Sequence, residues 1–294
     1  MNMEDHKMKK LFALILCITS LLAVAVFPAS ADETAYYYLY DYDFYDLPDF
    51  YCPMFDDLSP ANWYALPVSF AIDRGLFVFA NYEGEQFREN RKIDPNKPLT
   101  REEAVFMIIG QITNAVSLDQ SYNEGVFEMR YTEWERKLGK DIRPSGQVFK
   151  DVSEDSPFYL YIDFAYKTGF TAGIGDGYFG FGKPISRQDF SVMLLKLMEY
   201  YLSINSGSFS YDDQVIKSFT DHDSISGYAL DALTKFSGMT VTHHASCPPS
   251  EGYSADRTAR KILSGWNGLI MPRRTVTRAE AATMLFSVFT NTLD

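Results

Sequence analysis

The chain has 294 residues, 46% hydrophobic and 16% aromatic, with a formal net charge of -12. That composition fills one large core or two smaller ones and excludes a disordered chain. The acidic balance excludes nucleic acid and an anionic membrane surface as generic partners, so any anionic ligand must be met by local cations.

Residues 1–31 read as a signal peptide. Lys7, Lys9 and Lys10 form a basic region, residues 11–27 an apolar one, and Ala29-Ser30-Ala31 a small-residue cleavage site. The competing reading is a retained membrane anchor, but no later stretch is comparably long and apolar. Cys17 follows Leu16 and not a small residue, which argues against lipidation. Export leaves Cys52 and Cys247, either as one disulfide or as two separate thiols. Residues 32–54 are rich in Tyr and Asp without helical or alternating period. They read as an N-terminal linker partly draped on the domain, or as an adhesive, sugar-stacking strip.

Self-similarity follows. Phe55-Asp56-Asp57, Phe149-Lys150-Asp151 and Phe219-Thr220-Asp221 each place an aromatic two residues before an Asp. A short amphipathic helix is expected after each, ending at Gly75, Gly169 and Gly238, since glycine suits the left-handed residue that ends helices. Trp63 and Tyr228 are expected on these short helices, facing the core in preference to stacking on sugar. Connectors come next. In the second, Gly173, Gly175 and Gly177 surround the tight-turn pair Asp176-Gly177, and the third regains this pattern at Asn267-Gly268.

Each connector leads to a box of apolar residue, hydroxyl, Arg, any residue and acid. The three are Leu99-Thr100-Arg101-Glu102-Glu103, Ile185-Ser186-Arg187-Gln188-Asp189 and Val276-Thr277-Arg278-Ala279-Glu280. Hydroxyl and acid three apart make a helix capping box, with Asp189 the poorest fit because it is short. The Arg is electrostatically awkward at a helix start, where the dipole is positive. Beside free N–H groups it makes a local anion site. The runs after the boxes are apolar nearly all round, so three buried helices are expected to share a central core, with the short helices outside. Between the first two repeats, residues 117–147 form an insert with an exposed helix expected from Glu124 to Leu138.

These residues resemble the S-layer homology domain, a module that fastens bacterial surface proteins to the cell wall. Its pattern of F-x-D-V, a short helix, a D-G-x-F loop and I-T-R-A-E is matched by Phe149 to Val152, by Asp176 to Phe179 and by Val276 to Glu280. Repeats are expected at residues 55–116, 148–204 and 219–294, with a linker at 205–218. The resemblance implies a mainly α fold, three repeats in pseudo-threefold symmetry around a central three-helix bundle. It also implies grooves that bind secondary cell-wall polysaccharide, often pyruvylated, through Arg101, Arg187 and Arg278. The alternative role of each Arg is an ion pair with a neighbouring acid such as Glu102 or Asp189. Supporting candidates are Asp57, Asp151 and Asp221, Gly173, Gly175 and Gly177, and Trp63 and Tyr228. For the Asp residues a structural turn is the stronger reading, and for the glycines a turn.

Adjacent His243 and His244 cannot easily share an ion, and Cys247 completes no recognised ligand spacing, so no metal or cofactor is expected. No nucleophile motif is present and no carboxylate pair stands out, so no enzyme is expected. The expected protein is exported, lies at the wall or cell surface and binds polysaccharide. The alternative is a surface interaction or S-layer structural protein that uses degenerate repeats as a scaffold for a protein partner.

Overall fold

The computed structural model describes Pro48 and residues 51–77, 92–113, 120–205, 209–241 and 260–292, all within the compact unit Phe44–Asp294. The expected signal peptide, nearly all of the Tyr-rich segment, and His243, His244 and Cys247 lie outside the described residues; Cys52 is buried. Among the described residues the fold is mainly helical. Its seven α-helices are α1 (Ala65–Asp73), α2 (Arg101–Thr113), α3 (Gln120–Leu138), α4 (Tyr159–Lys167), α5 (Arg187–Asn205), α6 (Leu230–Gly238) and α7 (Arg278–Thr292). The two-residue strands β1 (Thr240–Val241) and β2 (Arg260–Lys261) pair antiparallel, Thr240 opposite Lys261.

The long helices α2, α5 and α7 each begin at a box Arg. All thirteen residues of α2 are buried, as a helix apolar nearly all round must be. α5 packs against both α2 and α7. The short helices do not pack mainly on the long helix of their own segment. α4 lies on α2, α6 on α5, and α1, the first in the chain, on α7, the last. At that last contact Phe70 meets Phe286 edge to face at 5.2 Å, and Arg74 lies over the Phe289 ring at 4.4 Å.

Gly75 and Gly169 end α1 and α4 as expected, with φ of +63° and +83°. Leu76 N–H donates to Ala71 O at 2.8 Å and Phe170 N–H to Ala165 O at 2.7 Å, the six-to-one bond of a Schellman cap. Gly238 is different. It stays helical, and a Cβ there would lie 2.4 Å from Asp212 O, so close approach of the backbone explains that glycine.

The stretches before the boxes form a closed hub. Leu99 N–H donates to Val276 O (2.8 Å), Val276 N–H to Ile185 O (3.0 Å) and Ile185 N–H to Leu99 O (2.9 Å). One step outward, Arg101 N–H donates to Lys183 O (2.9 Å), Arg187 N–H to Arg274 O (2.8 Å) and Arg278 N–H to Lys97 O (3.0 Å). Three segments far apart in sequence thus satisfy each other's backbone groups at the centre, and the apolar residue of each box is buried.

The insert helix departs from expectation. α3 is docked, with Phe127, Tyr131 and Trp134 buried on one face. Phe127 packs on Tyr161 (5.2 Å) and Phe164 (5.6 Å), and Trp134 stacks on Tyr200 at 5.1 Å. An aromatic stripe at helical spacing overrides the polarity of the remaining residues.

Candidate functional site

The first and third boxes close as reciprocal caps. Thr100 N–H donates to Glu103 Oε2 (2.9 Å) and Glu103 N–H to Thr100 Oγ1 (3.4 Å); Thr277 and Glu280 do the same at 3.0 and 3.3 Å. In the second box Asp189 N–H donates to Ser186 Oγ (3.2 Å), while the carboxylate turns outward to Arg101 and the Tyr228 hydroxyl. The shorter acid is thereby available to a neighbouring segment.

Each box Arg is 5% exposed and reaches the acid of the next box. Arg101 Nε donates to Phe179 O (2.9 Å), and its Nη1 lies 3.3 Å from Asp189 Oδ2. Arg187 Nη2 donates to Ser264 O (2.8 Å), with Nη1 3.8 Å from Glu280 Oε1. Arg278 Nη1 donates to Ile93 O (2.9 Å) and Nη2 to Glu103 Oε1 (2.8 Å). First meets second, second meets third, and third meets first. Burial lowers the Arg101 pKa, opposed by Asp189 above all. It lowers Arg187 further, to about 10, with Glu280 opposing and Arg274 reinforcing the shift.

Asp57, Asp151 and Asp221 anchor the loops ahead of the boxes. Asp57 accepts from the N–H groups of Ile93 (2.9 Å) and Asp94 (2.8 Å). Asp151 accepts from Phe179, Gly180 and Phe181 (2.7, 2.8 and 2.9 Å), and Asp221 from Ile270 (2.7 Å) and Met271 (2.8 Å). The second donor in each set is left-handed: Asp94, Gly180 and Met271 have φ of +53°, +87° and +51°. A carboxylate receiving adjacent N–H groups holds a turn that the unassisted backbone disfavours.

Burial alone would raise the Asp151 pKa, but the three backbone donors carry it below the ordinary carboxylate value. The Asp151 contribution to stability is therefore full above the unfolded pKa, about 4. It is lost as pH falls through the lower folded value. Asp73 and Asp163, raised by burial, act in the opposite sense, so the test compares variants. Asp151→Asn is expected to flatten the fall in thermal midpoint below about pH 4 relative to wild type. Parallel melting profiles would contradict this.

Gly173, Gly175 and Gly177 all have positive φ and build the turn, with Ile174 N–H donating to Tyr178 O at 2.8 Å. The Asn267-Gly268 turn repeats the geometry, both residues left-handed between Trp266 and Leu269. Gly265 is needed for space: a Cβ there would lie 2.2 Å from the Phe219 ring and 2.7 Å from Leu269 O. Gly265→Ala is expected to cost about 1–3 kcal/mol in urea unfolding, because the clash includes backbone. A cost near zero would show that the turn yields freely.

Trp63 and Tyr228 were expected in the core and are instead 56% and 63% exposed. Both precede the buried turns of α1 and α6: Trp63 lies two residues before α1, and Tyr228 in the 3-10 turn Gly227–Ala229. Gln188 Nε2 donates to the Tyr228 hydroxyl (3.0 Å) and to Ser226 Oγ (3.1 Å), tying that turn to the second box. Trp266, 70% exposed, escaped the sequence reading; its place beside Asn267-Gly268 was the available signal.

Among the described residues no group of three His, Cys, Asp or Glu is arranged to hold a metal, and no helix is long and apolar enough to cross a membrane. No curated protein matches the chain. Domains of the S-layer homology family are non-catalytic binding modules associated with the bacterial cell surface and wall. Residues 148–191, from the strip before Asp151 through α4, the Asp176-Gly177 turn and the second box, match that family's model.

Proposed function

We propose that the protein is a non-catalytic, exported surface protein that binds secondary cell-wall polysaccharide through three S-layer homology repeats in pseudo-threefold arrangement. The repeats are residues 55–116, 148–204 and 219–294, of which the second contains the matched domain. The observation that carries this reading is the closed circuit of box contacts, Arg101 to Asp189, Arg187 to Glu280 and Arg278 to Glu103. It treats three segments alike, so the family assignment of one extends to the other two. Each junction pairs a buried guanidinium with loop backbone and a carboxylate. An anionic sugar substituent such as a pyruvate ketal competes with that carboxylate for the Arg N–H groups. Arg101, Arg187 and Arg278 are the ligand-contacting residues in this account, and Asp57, Asp151 and Asp221 hold the loops around them.

A second reading has its own observation. All three box Arg residues already reach protein acids, which suits a scaffold that presents other surfaces to a protein partner. Co-sedimentation with native sacculi separates the two. On the wall reading the protein pellets and is released by free wall polysaccharide; on the scaffold reading the polysaccharide releases nothing.

A further inference from the structure

The seam between α3 and α4 buries polar groups that it does not pair. On α4, Asp163 is 1% exposed, and neither carboxylate oxygen accepts a hydrogen bond among the described residues. Its ion-pair partner there is Lys167, with Nζ 3.1 Å from Oδ2, and the same ammonium donates to Arg143 O. On α3, the Tyr131 hydroxyl and Trp134 Nε1 are buried and have no hydrogen-bond partner among the described residues either. A fully buried carboxylate is tolerated as an ion only where hydrogen bonds fill the lone pairs that its cation leaves over. Here they are left over, and a neutral carboxyl asks for fewer of them.

Charged and titratable groups approach Asp163 from each element packed around it. On its own helix Lys167 stands one turn on and Tyr159 one turn back, the Tyr159 hydroxyl donating to Gly146 O at 3.1 Å. From α3 come Tyr131 and Glu128, and from the connector after α3 comes Arg143. The Arg143 guanidinium is taken by Glu128 and, at 3.3 Å, by Glu135, which leaves Lys167 as the cation for Asp163. Asp141 acts on Lys167, and Glu154 on Tyr159. α2, also packed on α4, meets it through rings, Phe106 on Tyr161 at 4.8 Å, and Lys196 of α5 binds Gly169 O beyond the helix end. Burial raises the Asp163 pKa against the pull of Lys167; burial, and after it Asp163, raises Tyr131.

We propose that this seam is a proton-dependent latch: α3 docks most firmly while the Asp163 carboxyl is neutral, and its hold weakens as that group ionises. Linkage sets the direction. The docked state keeps a proton that the undocked state gives up near the ordinary carboxylate value, about pH 4. The stability gained is full below about pH 4 and is lost as pH rises through the higher docked value. Loosening bares rings that α3 covers, Phe164 and Phe170 among them. The latch is independent of the polysaccharide reading, because it joins the insert helix to α4 and uses no box residue.

The test is hydrogen exchange of the intact protein, followed amide by amide at about pH 4.5 and about pH 7.5 and corrected for intrinsic rates. Protection along α3 is expected to fall about tenfold relative to α2 between the two conditions. Asp163→Asn, which cannot ionise, is expected to remove that fall whatever its overall stability. Carbon-13 NMR of the wild-type Asp163 carboxyl needs no variant, and its titration is expected above the ordinary carboxylate value. Titration at or below about pH 4, an equal pH response in α2 and α3, or an unchanged α3 response in Asp163→Asn each overturns the latch. The Asp151 effect falls below about pH 4 and so outside this window.

Discussion

Arg278→Ala is expected to destabilise the protein by about 3–5 kcal/mol, the cost of removing one partner of a buried ion pair. The guanidinium is 5% exposed, donates to Glu103 at 2.8 Å and to Ile93 O at 2.9 Å, and lies 5.9 Å from the Phe77 ring centroid. Its loss strands the Glu103 carboxylate beside the cap it makes with Thr100, and frees the loop that Asp57 anchors. It also opens the circuit where the last helix meets the first box. Arg187→Ala is expected to cost less, because that side chain stands 3.8 Å from its acid where Arg278 holds Glu103 at 2.8 Å. Urea unfolding of both variants measures the difference. Equal losses, or a loss in Arg278→Ala under about 1 kcal/mol, would show that the Arg278 pair contributes no more than a surface ion pair does.

Phe127→Ala is expected to cost about 3–5 kcal/mol, the range for an aromatic removed from a packed core. The ring is fully buried between Tyr161 and Phe164, and it begins the stripe continued by Tyr131 and Trp134. With that stripe broken, α3 loses its main hold on α4 and on Tyr200 of α5. Hydrogen exchange is expected to rise first along α3. A cost below about 1 kcal/mol would mean that α3 is an appendage whose removal leaves the packing intact.

The starts of α2, α5 and α7 were legible because a hydroxyl and an acid three apart are a local signal, readable without knowing the fold. So were the ends of α1 and α4 at Gly75 and Gly169, and the turns at Asp176-Gly177 and Asn267-Gly268. The partners of the box arginines were not. Arg101 meets Asp189 across 88 residues and Arg278 meets Glu103 across 175, and no local spacing encodes either contact. The sequence reading offered a nearby acid as the alternative to a ligand, and named Asp189 as a neighbour of Arg187. Asp189 does pair with an arginine, but with that of the preceding box. The docking of α3 differs from the exposed helix expected there: Phe127, Tyr131 and Trp134 stand at positions i, i+4 and i+7, an apolar stripe that is buried. Trp63 and Tyr228 are expected on the short helices, facing the core. The helices begin after them, and the rings stay outside.

The circuit also explains why an arginine recurs at a helix start that disfavours it. Burial against the next segment's carboxylate outweighs the dipole, which is screened and worth only about 0.3–1 kcal/mol at such a position. The same burial means that a ligand reaches these groups only by competing with protein acids, and the junctions differ in how strongly those acids are held.

The most direct measurement of the central claim is the fraction of protein that sediments with sacculi before and after the secondary polysaccharide is stripped. Wall binding through the box junctions predicts that most of the protein pellets with intact sacculi and almost none with stripped ones. Equal sedimentation with both would contradict it.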